Sequence, residues 1–154
     1  MKPKQLARRV EVTSDAEGLI SHSGAFLVTE LADKLGLTQA LSQAMAATRS
    51  RRSAHNPGTV LRDLVVSIAD GGDCVCDLGV LAGQVGLFGK VASESTAHRV
   101  IRSIGPDQLE AIRVARAKAR NAAWQAGARP EGLIIDLDAT LLTFHCEKGQ
   151  AAGN

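Results

Sequence analysis

The residues best suited to chemistry are two carboxylates, Asp136 and Asp138, which stand in an otherwise apolar run and are followed by Thr140. A carboxylate among Ile and Leu side chains is costly unless it coordinates a cation or is otherwise compensated. The apolar residue types and short length of residues 133–137 predict a β-strand. Because side chains two positions apart in a strand point to the same face, both acids are expected to share one face.

The pattern Asp-x-Asp-x-Thr at residues 136–140 is compatible with two kinds of phosphoryl chemistry. In phosphohydrolases of the haloacid-dehalogenase type, the first Asp attacks phosphorus and the second handles a proton. In nucleases with a ribonuclease-H-like core, a carboxylate on the first strand binds one of two metal ions that promote phosphodiester cleavage. In the second group a helical, basic region often precedes that strand, so the order of segments in this chain favours the nuclease hypothesis.

The composition is typical of a soluble globular protein, with 154 residues, 45% hydrophobic and 22% charged. Three Phe, one Trp and no Tyr leave the core to Leu, Val, Ile and Ala, which favours the packing of helix against helix. The three cysteines, two of them at Cys74 and Cys76, argue against a disulfide framework and are spaced too closely for a usual zinc motif. Since neither a signal peptide nor a long apolar span is present, we expect a cytoplasmic protein with no membrane partner.

The positive charge is concentrated in two segments. Residues 49–62 carry four arginines and no acid, and residues 99–129 carry seven basic and two acidic residues. This segregation suits a surface that faces phosphates, although long Arg side chains can equally cover a solvated helix face. Three arginines of the second segment fall at i, i+3 and i+7, hence on one face of a helix. The candidates for DNA contact are Arg49, Arg51, Arg52, Arg113, Arg116 and Arg120.

Apolar periodicity predicts an almost entirely helical region before the acidic pair. Gly36 separates two predicted helices, at residues 25–35 and 37–47, in a corner that is faintly similar to a helix-turn-helix motif. Further helices are predicted from Thr59 as N-cap through Ala69, over residues 73–81, after Ser93, and over residues 107–126 between Pro106 and Gly127. The predicted domains are a flexible lead-in at residues 1–18, a helical and DNA-binding region at 19–130, and the start of a second domain at 131–154.

Five short motifs make residues 31–147 similar to one group of mobile-element proteins. The group is the DDE-type transposases of bacterial insertion sequences, family 1380, and the chain resembles their N-terminal third. The motifs are residues 60–64 (Val-Leu-Arg-Asp-Leu), 68–74 (Ile-Ala-Asp-Gly-Gly-Asp-Cys), 87–93 (Leu-Phe-Gly-Lys-Val-Ala-Ser), 95–100 (Ser-Thr-Ala-His-Arg-Val) and 135–140 (Ile-Asp-Leu-Asp-Ala-Thr). The resemblance implies a mainly α fold, in which a helical DNA-binding region precedes the first strand or hairpin of an incomplete ribonuclease-H-like α/β catalytic domain.

Carried over to this chain, the family pattern makes Asp138 the first catalytic and metal-binding Asp, because it directly precedes a small residue and Thr140. Asp136 is the alternative, or a participant beside it. The resemblance also implies Mg²⁺ as cofactor, the DNA of transposon ends as partner, and pairing with another transposase copy. The second Asp and the Glu of the pattern are absent, so we expect a truncated transposase that is inactive alone and binds no Mg²⁺ stably.

Two alternatives to a transposase stay open at the level of sequence. A small helical DNA-binding module without a catalytic role explains the basic segments but leaves residues 134–140 without a purpose. A fragment of a haloacid-dehalogenase-like phosphohydrolase explains the acidic pair, yet few residues follow that pair to build such a core.

Overall fold

The structure is a computed structural model that describes residues 22–50, 53–132 and 134–135. Within these residues it contains seven α-helices and no strand, which confirms the mainly α fold for this part of the chain. A 3-10 turn at Ala46–Thr48 follows the second helix, another at Val75–Asp77 precedes the fourth, and a wide turn at Trp124–Ala128 ends the last. The helices are α1 (Ser23–Lys34), α2 (Leu37–Ala44), α3 (Pro57–Ala69), α4 (Leu78–Ala82), α5 (Val85–Phe88), α6 (Glu94–Arg102) and α7 (Pro106–Ala123).

Asp136, Asp138 and most of the predicted strand and hairpin lie outside the described residues. The predicted lead-in at residues 1–18 also lies outside them. Ile134 and Ile135, the described residues of the predicted strand, are 93% and 77% exposed and belong to no regular element. The strand therefore stays a prediction.

The predicted corner between the first two helices is confirmed. α1 ends at Lys34 and α2 begins at Leu37, and Gly36 between them adopts a φ of +72°. Glycine enters this left-handed conformation without the steric cost that a side chain would add, which is why it ends the first helix. The Thr38 hydroxyl donates a hydrogen bond to the Asp33 carboxylate across the corner.

The start of α3 differs from the prediction. The helix begins at Pro57, and the Asn56 side chain accepts a hydrogen bond from the Gly58 N–H at 2.9 Å, so that Asn56 is the N-cap. Thr59, the predicted cap, instead lies in the first helical turn. Pro57 accounts for the difference, because proline lacks an N–H and suits the first helical position directly after a capping side chain.

Gly58 sets how closely α2 and α3 approach. A Cβ atom at this position would fall within van der Waals radii of the backbone atoms of Leu41 and Ser42 on α2. Because these obstructing atoms belong to the backbone, no rotation of a side chain can relieve the clash. The contact between the two helices therefore requires glycine here.

α3 is the central helix and packs against α1, α2, α4 and α6. The core around it is built from small and aliphatic side chains together with Phe26 and Phe88, whose rings meet edge to face with centroids 6.3 Å apart. This core agrees with the prediction from the few aromatic residues in the sequence. The most deeply buried hydrophobic side chains are Met45, Val60, Val66, Leu78, Leu81 and Ala97.

α7 is the longest described helix; it begins at Pro106, next to the predicted start at residue 107, and ends at Ala123, three residues before the predicted end at residue 126. Gly127 has a φ of +102°, which ends the wide turn that follows the helix. α7 packs against α2 and buries Ala115 and Ala119. The small side chains allow a close approach on this side and leave the other sides of α7 free for polar residues.

The segment after α3 is less regular than the single helix predicted over residues 73–81. It consists of the 3-10 turn at Val75–Asp77 followed by α4, and a disulfide joins Cys74 to Cys76 across that turn. The sequence argues against a disulfide framework, and this bridge joins two residues of one local turn rather than distant parts of the fold. The tight local turn brings the two sulfur atoms together without any long-range contact.

Candidate nucleic-acid interface

The three arginines predicted to share a face of α7 do so, and all three are exposed. The Arg113 guanidinium donates to the Glu110 carboxylate at 3.3 Å, an exposed pair of the kind that contributes little to stability. The Arg120 guanidinium lies 5.5 Å from the centre of the Trp124 ring, within the range of a cation–π interaction. Arg116 forms no ion pair with any described residue.

The arginine face of α7 is not the face that holds the helix in the fold. Burial on α7 is confined to Ala115 and Ala119, on the side that packs against α2. Lys118 also lies on the α2 side, where it lines a shallow cleft between the two helices. The guanidinium groups of Arg113, Arg116 and Arg120 are therefore available to an external partner.

Of the basic loop after α2, the structure describes only part. Arg49 is exposed and extended, directly after the 3-10 turn that follows α2. Arg51 and Arg52 lie outside the described residues. Arg49 and the arginines of α7 thus belong to different elements, and the structure does not bring them together on one helix face.

Arg62, the last arginine of the first basic segment, has a structural role. Its side chain is 11% exposed, and its Nη2 and Nε atoms donate to the Asp63 carboxylate at 2.6 and 3.0 Å. A second carboxylate, that of Asp33, lies 3.6 Å from Nη1. The charge of Arg62 is compensated inside the fold and should not be counted toward a phosphate-binding surface.

Burial of Asp63 raises the pKa of its carboxyl above the ordinary value, and the Arg62 hydrogen bond and positive charge act in the opposite direction. Burial is the largest of these effects because the carboxylate loses most of its hydration in the core. The charge of Asp63 is thus compensated within α3 by its neighbour Arg62.

A groove of about 490 Å³ lies between residues 48–50 and 53–57 on one side and α6 on the other. α6 contributes Thr96 and Arg99, and the opposite wall contributes His55 and several hydroxyl groups. Sequence reasoning did not select these residues, although Arg99 belongs to the second basic segment. The described lining consists of Thr48, Ser50, Ser53, Ala54, His55, Pro57, Thr96, Arg99, Val100 and Ser103.

The comparisons with known proteins decide the family. A family model described as "Transposase DDE domain group 1" matches residues 2–154, nearly the whole sequence. The chain belongs to this transposase family. Membership explains the Asp-x-Asp-x-Thr pattern as part of a DDE domain and favours the transposase hypothesis over the phosphohydrolase one.

One curated relative of the chain carries a different name. A protein named "8-amino-7-oxononanoate synthase" from Serratia proteamaculans (strain 568) is 32% identical over 110 residues. The alignment covers 68% of the transposase chain and 28% of that protein, so the chain spans little more than a quarter of this relative. No solved structure matches the chain.

DDE transposases generally depend on divalent metal ions, which require a set of suitable ligands. The described residues contain one candidate group, Cys74, Cys76 and Asp77, with ligand atoms within 4.8 Å of one another. Mg²⁺ prefers oxygen ligands, and the two sulfur atoms are joined in a disulfide. This group does not fit the metal of the family, and the predicted ligand Asp138, with Asp136 beside it, lies outside the described residues.

Asp77 has a local structural task instead. Its Oδ2 atom accepts hydrogen bonds from the backbone N–H groups of Asp73 and Cys74, both at 2.9 Å. These bonds favour the ionised form and lower the pKa of the Asp77 carboxyl.

Among the described helices of the chain, none has both the length and the hydrophobicity needed to cross a membrane.

Proposed function

We propose that this chain binds the DNA ends of a bacterial insertion sequence, of the group called family 1380, through its helical region. The observation that carries the proposal is the exposed arginine face of α7 in a chain that belongs to a DDE transposase family. Transposition requires the protein to hold DNA, and the backbone phosphates are the part of DNA that arginine recognises without regard to sequence.

The geometry of α7 suits a row of phosphates. Arg113 and Arg120 are seven residues apart, which corresponds to about 10 Å along a helix that rises about 1.5 Å per residue. DNA carries a negative charge about every 1.7 Å of its axis, so a cation row of this length meets several phosphates. We expect Arg116 and Arg120 to contribute most, since Glu110 partly compensates Arg113. Arg49, Arg51 and Arg52 are proposed as additional phosphate contacts.

The test measures how DNA binding depends on salt concentration. Binding is read from the fluorescence anisotropy of a short labelled duplex. Replacing Arg113, Arg116 and Arg120 together with Ala should lower the slope of log K against log salt by about 0.9 for every phosphate that the variant no longer neutralises. The single variants Arg116→Ala and Lys118→Ala form a matched pair, because they remove one charge from opposite sides of α7. Arg116→Ala should reduce the slope and Lys118→Ala should not. Binding without salt dependence, or equal reductions in the pair, would contradict the proposal.

For catalysis we propose Asp138 as the carboxylate that binds the divalent ion, taken to be Mg²⁺, with Asp136 as its neighbour. The support is the family assignment together with the position of Asp138 directly before Ala139 and Thr140. In a cell-based transposition assay of a transposition-competent element whose complete transposase includes this sequence, Asp138→Asn should abolish transposition and Asp136→Asn should reduce it less. Equal activity of Asp138→Asn and the unchanged element would refute this assignment. Pairing with another transposase copy stays a prediction.

A further inference from the structure

The groove that residues 48–50 and 53–57 form with α6 has the chemistry of a phosphate-binding surface. Its described lining contains one Arg, one His and five hydroxyl side chains, and no Asp or Glu. The hydroxyls of Thr48, Ser53 and Ser103 already donate to backbone carbonyl oxygens. The apolar part of the lining is Val100, which is 9% exposed, buried Pro57 and exposed Ala54. A groove with polar walls and no acidic side chain among its described residues favours an anionic ligand over a cationic one.

Arg99 brings the positive charge to this groove. Its Nη2 donates to the Thr96 hydroxyl at 2.9 Å, and its Nε donates to the Ser95 carbonyl oxygen at 3.3 Å. Both bonds run back along α6 and hold the guanidinium against the helix. A guanidinium carries five N–H bonds, so donors on Nη1 and Nη2 are left for a ligand.

Thr96 is prepared to donate as well. Its hydroxyl oxygen accepts hydrogen bonds from Arg99 and, at 3.1 Å, from the Ser93 hydroxyl. A hydroxyl has two acceptor sites and one proton, so these two bonds leave the Thr96 proton for an acceptor outside the helix. An oxygen of a phosphate group is such an acceptor. The imidazole of His55 faces the same groove from the opposite wall.

The one acidic residue of α6 lies away from the groove. Glu94 stands four residues before His98, and their side chains form an exposed pair with Nε2 and Oε1 3.7 Å apart. Helical periodicity places this pair on the side of α6 roughly opposite to Thr96 and Ser103, which line the groove. The negative charge of Glu94 is thus kept from the phosphate site.

We propose that this groove holds a backbone phosphate of the bound DNA, with Arg99 as its charged contact and Thr96 and His55 as further hydrogen-bond donors. The inference rests on the proposed function, because it names a second contact surface for the same partner. It adds α6 to the arginine face of α7 and assigns a role to the Ser-Thr-Ala-His-Arg-Val motif at residues 95–100. Since phosphates carry no sequence information, the groove contributes affinity and register rather than choice of sequence.

The experiment compares Arg99→Ala with Arg102→Ala in the same salt titration of a short labelled duplex. Arg102 is an exposed arginine of the same helix that does not line the groove, so it controls for the removal of one charge. Arg99→Ala should lower the salt slope by about 0.9, and Arg102→Ala should leave it unchanged. Arg99→Lys should keep the slope and reduce the affinity, because lysine retains the charge without the planar fork. Thr96→Val should weaken binding several-fold with the slope unchanged.

The possible outcomes distinguish a failure of the groove inference from a failure of the proposed function. Thermal unfolding of each variant establishes that weaker binding does not come from a disrupted fold. If the unchanged protein binds DNA with a steep slope that the α7 triple variant loses and Arg99→Ala and Thr96→Val retain, the groove inference is overturned alone. If the unchanged protein shows no salt-dependent binding, both fail. If inorganic phosphate binds the unchanged protein but not Arg99→Ala while their DNA affinities agree, the groove is a small-anion site and the inference is again overturned.

Discussion

Arg62 in α3 and Arg116 in α7 are the same residue type in opposite environments. Arg62 is 11% exposed at its side chain and donates to buried Asp63, whereas Arg116 is exposed and has no ion-pair partner among the described residues. Arg62 takes part in the packing of the central helix, α3. Arg116 is free to meet a partner, and the difference arises from the acid beside Arg62 and from the burial of α3.

This contrast shows that a count of basic residues does not by itself identify a phosphate surface. The first basic segment, residues 49–62, contains no acid, but the residue directly after it is Asp63. Once Arg62 is paired with Asp63, the usable positive charge of that segment is confined to its loop. The arginines of α7 differ because their stripe has one exposed acidic neighbour, Glu110, and a separate side of the helix is buried.

The largest effect is expected from Arg62→Ala. Removing Arg62 leaves the Asp63 carboxylate buried without its main partner, which typically destabilises a fold by about 3 kcal/mol or more. Arg116→Ala, the matched exposed variant, should change the free energy of unfolding by less than about 0.5 kcal/mol. Denaturant unfolding of both variants measures the difference, and similar destabilisation by the two substitutions would show that the two environments are alike.

A smaller destabilisation is expected from Gly58→Ala. The added methyl group meets the backbone of α2, so the two helices must separate at a cost of about 1–3 kcal/mol. Gly79→Ala is the control, because Gly79 lies in α4 with no atom near its Cβ position. Ala at that site should stabilise by up to about 1 kcal/mol. Equal thermal midpoints of the two variants would show that α2 and α3 do not touch as described.

The smallest effect concerns pH. Since burial raises the pKa of Asp63, its contribution to stability is full below the ordinary value of 3.8 and is lost as pH rises through the folded value. The stability of the unchanged protein relative to Asp63→Asn should therefore fall as pH rises from acid toward neutral. Asp77→Asn should show the opposite trend, because hydrogen bonds lower the pKa of Asp77. Thermal unfolding across pH measures the stability of the unchanged protein relative to each variant. If both relative stabilities change with pH in the same direction, the environments described for Asp63 and Asp77 are wrong.

Much of the helical region could be predicted from the sequence, because its signals are local. Gly36 ends α1 through a backbone conformation that glycine adopts readily, Pro106 begins α7, and Gly127 lies in the turn that follows α7. The predicted cap of α3 is wrong because Thr59 and Asn56 are both good capping residues, and it is Pro57 that decides between them.

The groove was not predictable in the same way. Its walls come from residues 48–50 and 53–57 and from Thr96, Arg99 and their neighbours on α6, which are about forty residues apart in the sequence and meet only through packing around α3. The pairing of Arg62 with Asp63 likewise depends on their burial. The disulfide between Cys74 and Cys76 arises from a tight turn that the predicted longer helix left out.

Among the described arginines, Arg62 is largely buried and paired with Asp63, whereas the exposed Arg99, Arg116 and Arg120 are proposed to meet DNA. Modification by an arginine-specific dicarbonyl reagent, read by peptide mass spectrometry with and without duplex DNA, tests this division. We expect Arg62 to resist modification in both states, and Arg99, Arg116 and Arg120 to react in the free protein and to be protected by DNA. Ready modification of Arg62, or equal modification of Arg116 and Arg120 with and without DNA, would show that the division is wrong.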